Sequence, residues 1–442
     1  MKILTTICVL CSSLWAALAQ NDSLTGPTTN AVVISTDYID SLVAEARTNN
    51  PSLRAADARV RSATFNAEAV RTWDDPMAMF GVNVFSPKGF SPSANGDLVY
   101  GVQEKLPLWG MPKLNRQVAA AGVSSRQAQA DVCFQQLRDD ITKALVSAAL
   151  TEQVVNIEEQ DLEWLRATSK AVEAKYRSGQ GDVADTLQIQ NAAAVQSDQL
   201  RTDQLELAHD YFMLNRLLNR HHDSPWPPLR LPPIAPPVPY SAKLVALALT
   251  NEPNLKVVEQ EIKAAEATAE RTKRTRLPDV SLGVEGWQYS GDGGFRQGMF
   301  TLSFSLPWFN SEKYGKDYAR DRETVKSAQE EREDQILMVR EEVHHLTVDL
   351  DAKRRQALLY SQEVSIRAEE ALTDKLNLWG TGKVTLRDVL DARRDALDAQ
   401  LMTARATAGQ YQSVADLMFW SGLESFESLI PLSNEPTLHA DH

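Results

Sequence analysis

The chain has 442 residues, 24% of them charged, and its 59 acidic side chains outnumber 46 basic ones to leave a formal net charge of -13. Such a balance argues against nucleic-acid binding and fits an exported protein with solvated surfaces and an ordinary acidic soluble protein equally. Beyond residue 19 there is no run of about 18 apolar residues, so the sequence contains no transmembrane helix and could cross a membrane only with strands.

Residues 1–19 open with Met1 and Lys2, continue as a mainly apolar run to Leu18, and end in Ala17-Leu18-Ala19. This is the order of a secretory signal, and the mature chain is expected to begin at Gln20. Cys8 follows Ile7 and Cys11 follows Leu10, where a lipoprotein signal has a small residue, so no lipid anchor is expected. Cys133 is then the one thiol left; it has no intrachain partner and reads as a small buried apolar side chain.

The next elements follow in a fixed order. A helix over 36–72 runs into Pro76. Two strands come after it: Ala78, Phe80, Val82 and Val84 alternate with Met79, Gly81 and Asn83, then Leu98, Tyr100 and Val102 alternate with Val99, Gly101 and Gln103. The stretch between them, 86–97, is rich in Gly, Ser, Pro and Asp and reads as an exposed turn. Leu106-Pro107 then opens a helix from Met111 to Arg177, about 100 Å long at 1.5 Å per residue, which must project as a rod. Glycines at 179 and 181 reverse the chain into a second helix over 183–219.

Residues 224–240 carry eight prolines, at 225, 227, 228, 232, 233, 236, 237 and 239, which forbid a helix and predict an extended linker. After it the whole order returns. Thr48-Asn49-Asn50-Pro51-Ser52-Leu53 recurs as Thr250-Asn251-Glu252-Pro253-Asn254-Leu255, and Pro76 with Gly81 recurs as Pro278 with Gly283. Leu106-Pro107-Leu108-Trp109 returns as Leu306-Pro307-Trp308-Phe309, and Gly179, Asp185 and Leu187 return as Gly382, Asp388 and Leu390. The offset drifts only from 200 to 203, so the chain consists of two homologous halves.

The second half therefore predicts a helix over 241–276, strands over 280–288 and 299–306 with a turn at 290–294, and another helical hairpin turning at Trp379-Gly380-Thr381-Gly382. Its long helix places Ile336, Val343, Leu350, Ala357, Val364, Ala371 and Leu378 at every seventh residue, a coiled-coil stripe matched by Ile141, Ala148, Val155 and Leu162. The expected organisation is a signal at 1–19, a first repeat at 20–223, a linker at 224–240, a second repeat at 241–423 and a tail at 424–442.

The alternation suits a membrane barrel with a wet lumen, the alternative being a soluble hairpin covered by a helix; in a membrane four strands cannot close a barrel, and an open sheet in lipid leaves backbone groups unsatisfied at several kcal/mol each, so the strand count then requires oligomerisation. A dimer supplies eight strands and a filled interior, a trimer twelve and a lumen. Composition and spacing leave that choice open. They also leave open two rivals, a periplasmic adaptor and a coiled-coil scaffold of the cell envelope, although an adaptor generally pairs one hairpin with many soluble strands.

The order of elements, the twofold repeat, Asn-x-Pro-x-Leu at its opening, Leu106-Pro107-Leu108-Trp109-Gly110, and Asp388-Val389-Leu390-Asp391-Ala392 after a glycine turn resemble the TolC-type outer-membrane efflux family over about residues 36–423. The resemblance implies a mainly α chain with a small β part, a homotrimer with a 12-stranded transmembrane barrel, and a helical tunnel across the periplasm. It implies docking onto a periplasmic adaptor and an inner-membrane pump, with outer-membrane lipid around the barrel. The sequence carries no nucleophile motif, phosphate-binding glycine loop or zinc spacing, so no enzyme activity is expected.

The resemblance also implies particular residues. Asp388 and Asp391 map onto the aspartates that ring the periplasmic aperture; their spacing of three puts both carboxylates on one helical face, and threefold crowding should raise some of their pKa values and attract cations. Asp182 and Asp185 occupy the matching turn of the first half. Gly179, Gly382 and Leu386 sit at the tips where members of the family meet the adaptor. Trp379 and Val384 stand where relatives can carry a latching tyrosine and arginine, which removes the basic partner. No cofactor and no metal site are expected: adjacent helical residues diverge by about 100°, so neither His221-His222 nor His344-His345 offers two ligands to one ion.

Overall fold

A computed structural model describes residues 31–70, 74–83, 85–86, 89–90, 97–289, 293–423 and 425–432. The expected signal at 1–19, most of the 86–97 turn, the first half of the 290–294 turn, and 424 with 433–442 of the tail lie outside the described residues.

The chain opens with a two-residue strand β1 (Val32–Val33), then helices α1 (Thr36–Asn49) and α2 (Pro51–Ala69). The 36–72 pattern thus forms two helices. Pro51 bars the preceding residue from helical geometry, and Asn50 at φ -67° and ψ 125° breaks the chain. Its side-chain oxygen accepts from the Ser52 N–H at 2.8 Å, and its amide donates to the Leu217 carbonyl at 2.7 Å. One residue closes α1, caps α2 and ties both to another element. The second half repeats the device: Glu252, fully buried, separates α5 (Ala242–Asn251) from α6 (Pro253–Arg274) and caps α6 through the Leu255 N–H.

Between these helix pairs lie β2 (Met77–Asn83), the short pair β3 (Phe85–Ser86) and β4 (Gly89–Phe90), β5 (Asp97–Lys105), α3 (Met111–Arg177), α4 (Val183–Leu218) and β6 (Leu229–Arg230). The second half continues with β7 (Val280–Tyr289), β8 (Phe295–Phe304), a 3-10 turn at Pro307–Asn310 and α7 (Ser311–Leu359). A π turn at Tyr360–Val364 joins α7 to α8 (Ser365–Gly380), and α9 (Leu386–Ser421) returns along them. A second 3-10 segment, Phe426–Leu432, follows.

The four long strands form one antiparallel sheet in the order β2-β5-β7-β8, so the two repeats meet at β5-β7 and, among the described residues, both outer edges are open. Registers such as Ala78↔Val102↔Val284↔Phe300 put residues of like character in rows. One face carries Phe80, Val82, Val102, Val284, Phe300, Leu302 and Phe304, all exposed, with Phe80 at 81% and Phe300 at 78%. The other face carries Gln103, which donates across Gly283 to the Ser303 hydroxyl at 2.8 Å, and Glu285 beside Thr301.

The main core lies well below the sheet, where α1, the long helices and the linker meet. Ile34, Ile141, Leu145, Leu214, Leu218, Leu244, Leu350 and Leu417 are all essentially inaccessible there. The proline-rich segment belongs to this girdle. Its Leu229–Arg230 pairs in parallel with Val32–Val33, the buried Gln410 amide bonds both the N–H and the carbonyl of Ala235 at 3.1 and 3.0 Å, and the Tyr411 hydroxyl donates to the Pro233 carbonyl at 2.6 Å. An extended strap with few N–H groups of its own is thereby held as wall, which its proline content permits.

From the girdle two helical hairpins, α3 with α4 and the α7–α8 run with α9, extend away from the core. Buried residues along them keep heptad spacing, as in Val339, Val343, Leu346, Leu350 and Ala357. Among the described residues no helix is long and apolar enough to cross a membrane.

Candidate functional site

The hairpin tips carry the residues singled out from sequence. In the first, α3 ends in a left-handed Gly179 at φ +74°, with the Gln180 N–H returning to the Lys175 carbonyl at 2.9 Å. The second tip repeats the geometry: Gly382 has φ +73°, and the Lys383 N–H returns to the Leu378 carbonyl at 3.0 Å. These six-to-one bonds close a helix end and need a residue free of Cβ strain, which is why glycine stands at both places. Both glycines are exposed at the extreme of their hairpins, with nothing close to where a Cβ would project.

The helices leaving the tips are capped differently. Asp182 is the N-cap of α4 and accepts from the Ala184 N–H at 3.3 Å, with Asp185 in the first turn. In α9 the cap is Thr385, whose hydroxyl and N–H donate to the Asp388 carboxylate at 2.7 and 2.9 Å, while the Asp388 N–H returns to the Thr385 hydroxyl at 3.3 Å. This reciprocal box satisfies two free helix-end donors. It also holds the Asp388 carboxyl below the usual range, the Thr385 hydroxyl being the largest cause. Within one chain the direction is therefore opposite to that expected of a crowded mouth. Asp391 lies one turn further on, exposed, with Arg394 at 3.6 Å.

Leu386 is fully buried, packed with Leu165, Val172, Ile189 and Leu390. Its side chain therefore serves the interior of the tip rather than its outer surface. The same packing joins the two hairpins of one chain, and polar contacts that the sequence reading missed reinforce it. Lys175 lies 3.7 Å from the centre of the Trp379 ring and donates to the Trp379 carbonyl at 3.0 Å. Trp379 thus has a basic partner, supplied by the other hairpin rather than by the residue after its own turn. Further from the tip, the Arg393 guanidinium donates to the buried Asp161 carboxylate at 2.6 Å and lies over the Trp164 ring at 5.2 Å.

A third group sits mid-rod. Glu158 is 5% exposed and occupies the seam between Val155 and Leu162, a place where the heptad calls for an apolar residue. Opposite it is buried Asp203, held by the Gln199 amide at 3.2 Å. Burial, then hydrogen bonding and charge from Asp203, with Asp161 adding and Arg405 opposing, push the Glu158 carboxyl up to about 8. The sequence did contain a signal, a carboxylate three residues after one seam position and four before the next.

The structure corrects one premise. His221 and His222 lie beyond the left-handed Asn219 that ends α4, not on a helix. Their rings stand 4.2 Å apart, and the potential ligand atoms of His221, His222 and Asp223 lie within 4.8 Å of one another, all on exposed side chains.

A long coiled-coil rod attached to an antiparallel sheet that exposes one apolar face and keeps the other polar defines a class: a protomer of a barrel-and-tunnel membrane channel. The particular family follows from comparison. The model of the outer membrane efflux protein family matches residues 42–220 and 244–423, and the chain belongs to that family. The pyoverdine export outer membrane protein OpmQ of Pseudomonas putida is 24% identical over 408 residues, which span 85% of this chain and 83% of that protein. The outer-membrane channel OprN superposes with a TM-score of 0.74 at 17% identity, covering 87% of this chain and 90% of the other. The outer membrane protein VceC from Vibrio cholerae superposes at 0.73 with 18% identity, covering 87% and 96%. The protein is an outer-membrane efflux duct whose helical part lies in the periplasm.

Proposed function

We propose that three copies of this chain close a single 12-stranded barrel in the outer membrane, and that their hairpins continue it as a passive tunnel through which an inner-membrane pump expels cargo. The observation that carries this reading is the four-stranded sheet with one exposed apolar face and two open edges at β2 and β8. Lipid covers such a face, and only pairing with neighbouring copies satisfies the edge backbone in an apolar medium. Export through a cleaved signal at 1–19 precedes assembly. The tunnel performs no catalysis and uses no cofactor; energy enters through the partner pump.

Asp388 and Asp391, with Asp185 and Asp182 on the neighbouring hairpin, supply carboxylates to the periplasmic mouth. Gly179 and Gly382 present the tips to a periplasmic adaptor, and Leu386 supports that surface from beneath. The test is single-channel conductance of detergent-extracted protein in a planar bilayer, with its mass determined by light scattering. Discrete conductance from a trimer, with cation selectivity reduced by Asp388→Ala with Asp391→Ala, is the expected result. A detergent-independent monomer without conductance overturns the assembly, and unchanged selectivity removes the two aspartates from the mouth.

A further inference from the structure

At the foot of the sheet, beside the first turns of α3 and α7, lie two clefts of opposite charge. The cleft beside the β5 exit, at the junction of the two halves, is small, about 90 Å³, and is lined by Asp74, Asp279, Lys105 and Trp109. Lys105 is spent on Asp279 at 2.9 Å, and the Trp109 indole N–H is spent on the Pro278 carbonyl at 2.7 Å. In the second half the cleft lies between the end of α6 and the start of α7, where α6 leads into β7 and β8 leads into α7. It measures about 310 Å³ and is lined by Lys273, Arg276, Trp308, Ser311, Tyr314 and Tyr318, with no carboxylate among its lining residues. Arg276 makes no ion pair among the described residues, and Lys273 has only Glu270 at 3.8 Å, a carboxylate shared with Arg274.

We propose that this second cleft binds the headgroup phosphate of an anionic phospholipid from the periplasmic leaflet of the membrane, an inference that rests on the sheet being a membrane barrel. Three features support it. The cleft lies where the strands end, at the foot of the exposed row Phe300, Leu302, Phe304 and Leu306, along which acyl chains would run. Two cations and three hydroxyls converge there, the donor set that holds a phosphodiester, and basic pockets at a membrane boundary select anionic headgroups. Trp308, 56% exposed, and the two tyrosines have one apolar and one polar end, which suits the interface between acyl chains and water. The acidic cleft beside α3 also lies where strands end and has the wrong charge, so position alone does not make the site.

The test is native mass spectrometry of the detergent-extracted protein titrated with phosphatidylglycerol, with zwitterionic phosphatidylethanolamine as the reference lipid. The wild-type protein should retain phosphatidylglycerol preferentially. Lys273→Ala with Arg276→Ala should weaken that retention on the order of thirtyfold and leave phosphatidylethanolamine unchanged, since each of the two cations at a membrane surface is worth about 1 kcal/mol. Gly315→Leu is an independent variant: Gly315 lines the cleft, has nothing within 4 Å of its missing Cβ, and sits in a helix where leucine is favoured, so the added side chain should block the cleft with both charges in place. Lys105→Ala, in the acidic cleft, should change nothing. Equal retention of both lipids, insensitivity to both second-cleft variants, or displacement of the lipid by millimolar inorganic phosphate would overturn the proposal. Conductance of the same samples separates the two readings: a normal channel without lipid preference defeats only the lipid site, whereas loss of all conductance in the wild type defeats the barrel.

Discussion

Replacing Glu158 by glutamine should stabilise the protein, and by an amount that depends on pH. The carboxyl sits in an apolar seam facing Asp203, with Asp161 nearby and Arg405 as the opposing charge, and its folded value is pushed up to about 8 from an ordinary 4.5. A raised acid binds its proton more tightly when folded. Below pH 4.5 it is protonated in both states and nothing is lost. Between 4.5 and 8 the unfolded chain releases the proton while the folded chain keeps it, so stability falls by ~1.4 kcal/mol per pH unit. Above 8 the folded carboxyl ionises too and the loss levels off near about 5 kcal/mol, an upper figure because the surroundings can relax around the new charge.

Glutamine keeps the shape and carries no charge. The difference between Glu158→Gln and wild type should therefore be within about 1 kcal/mol at pH 5, the worth of one neutral hydrogen bond, and several kcal/mol by pH 9. Unfolding of the detergent-solubilised protein in denaturant, followed by helical circular dichroism at both pH values, gives that difference directly, since all other titrating groups cancel. Asp203→Asn removes the hydrogen bond and charge of the neighbour but not the burial, so it should reduce the pH dependence only in part. A variant-minus-wild-type difference equal at pH 5 and pH 9 would refute the argument and mean that water or a cation compensates Glu158 in the folded state.

Three other perturbations have definite expected outcomes. Arg393→Ala strands the buried Asp161 carboxylate and should cost about 3–5 kcal/mol, while adding Asp161→Asn should recover much of it, both read by thermal unfolding. Lys175→Met removes a cation over an indole ring and one hydrogen bond, together about 1–3 kcal/mol, and should raise protease cleavage near Gly179 and Gly382 without changing the rod's helix content. Gly101→Val should block assembly of the trimer, because a Cβ there meets the Val284 carbonyl oxygen at 2.9 Å and the Glu285 Cγ at 2.8 Å; light scattering of the detergent-extracted protein reports it.

Much of the fold is legible because it follows local rules. Met111–Arg177 emerges with both ends as expected, since Gly110 and Pro112 start it and a left-handed Gly179 stops it. The strands declare themselves by alternation, and the repeat by ordered landmarks. The break at Asn50 was hidden because Leu42, Ala46, Leu53 and Ala56 keep helical spacing straight through Pro51, which is welcome at the start of a new helix. Tertiary partners were hidden for a plainer reason: Lys175 and Trp379 are 204 residues apart and Arg393 and Asp161 are 232 apart, and no periodicity encodes such pairs. The histidines illustrate the opposite error, a correct rule for helices applied to residues that lie just past the helix end.

What distinguishes the two repeats is chemistry placed on nearly the same backbone. Tyr176 and Trp379 stand at equivalent places before equivalent glycine turns, yet Tyr176 is exposed and Trp379 lies against Lys175 of the other hairpin. Asp182 and Thr385 cap equivalent helices, but only Thr385 has an acidic partner three residues on that returns its bond, so Asp388 is held in a fixed geometry while Asp185 is not. The clefts under the strands differ in sign. A channel built from repeats of one sequence has alternating hairpins that could be interchangeable. Divergence at these three places makes them inequivalent, so one hairpin of each chain can brace the other, and a tip that opens must break contacts between two unlike partners rather than deform a uniform ring.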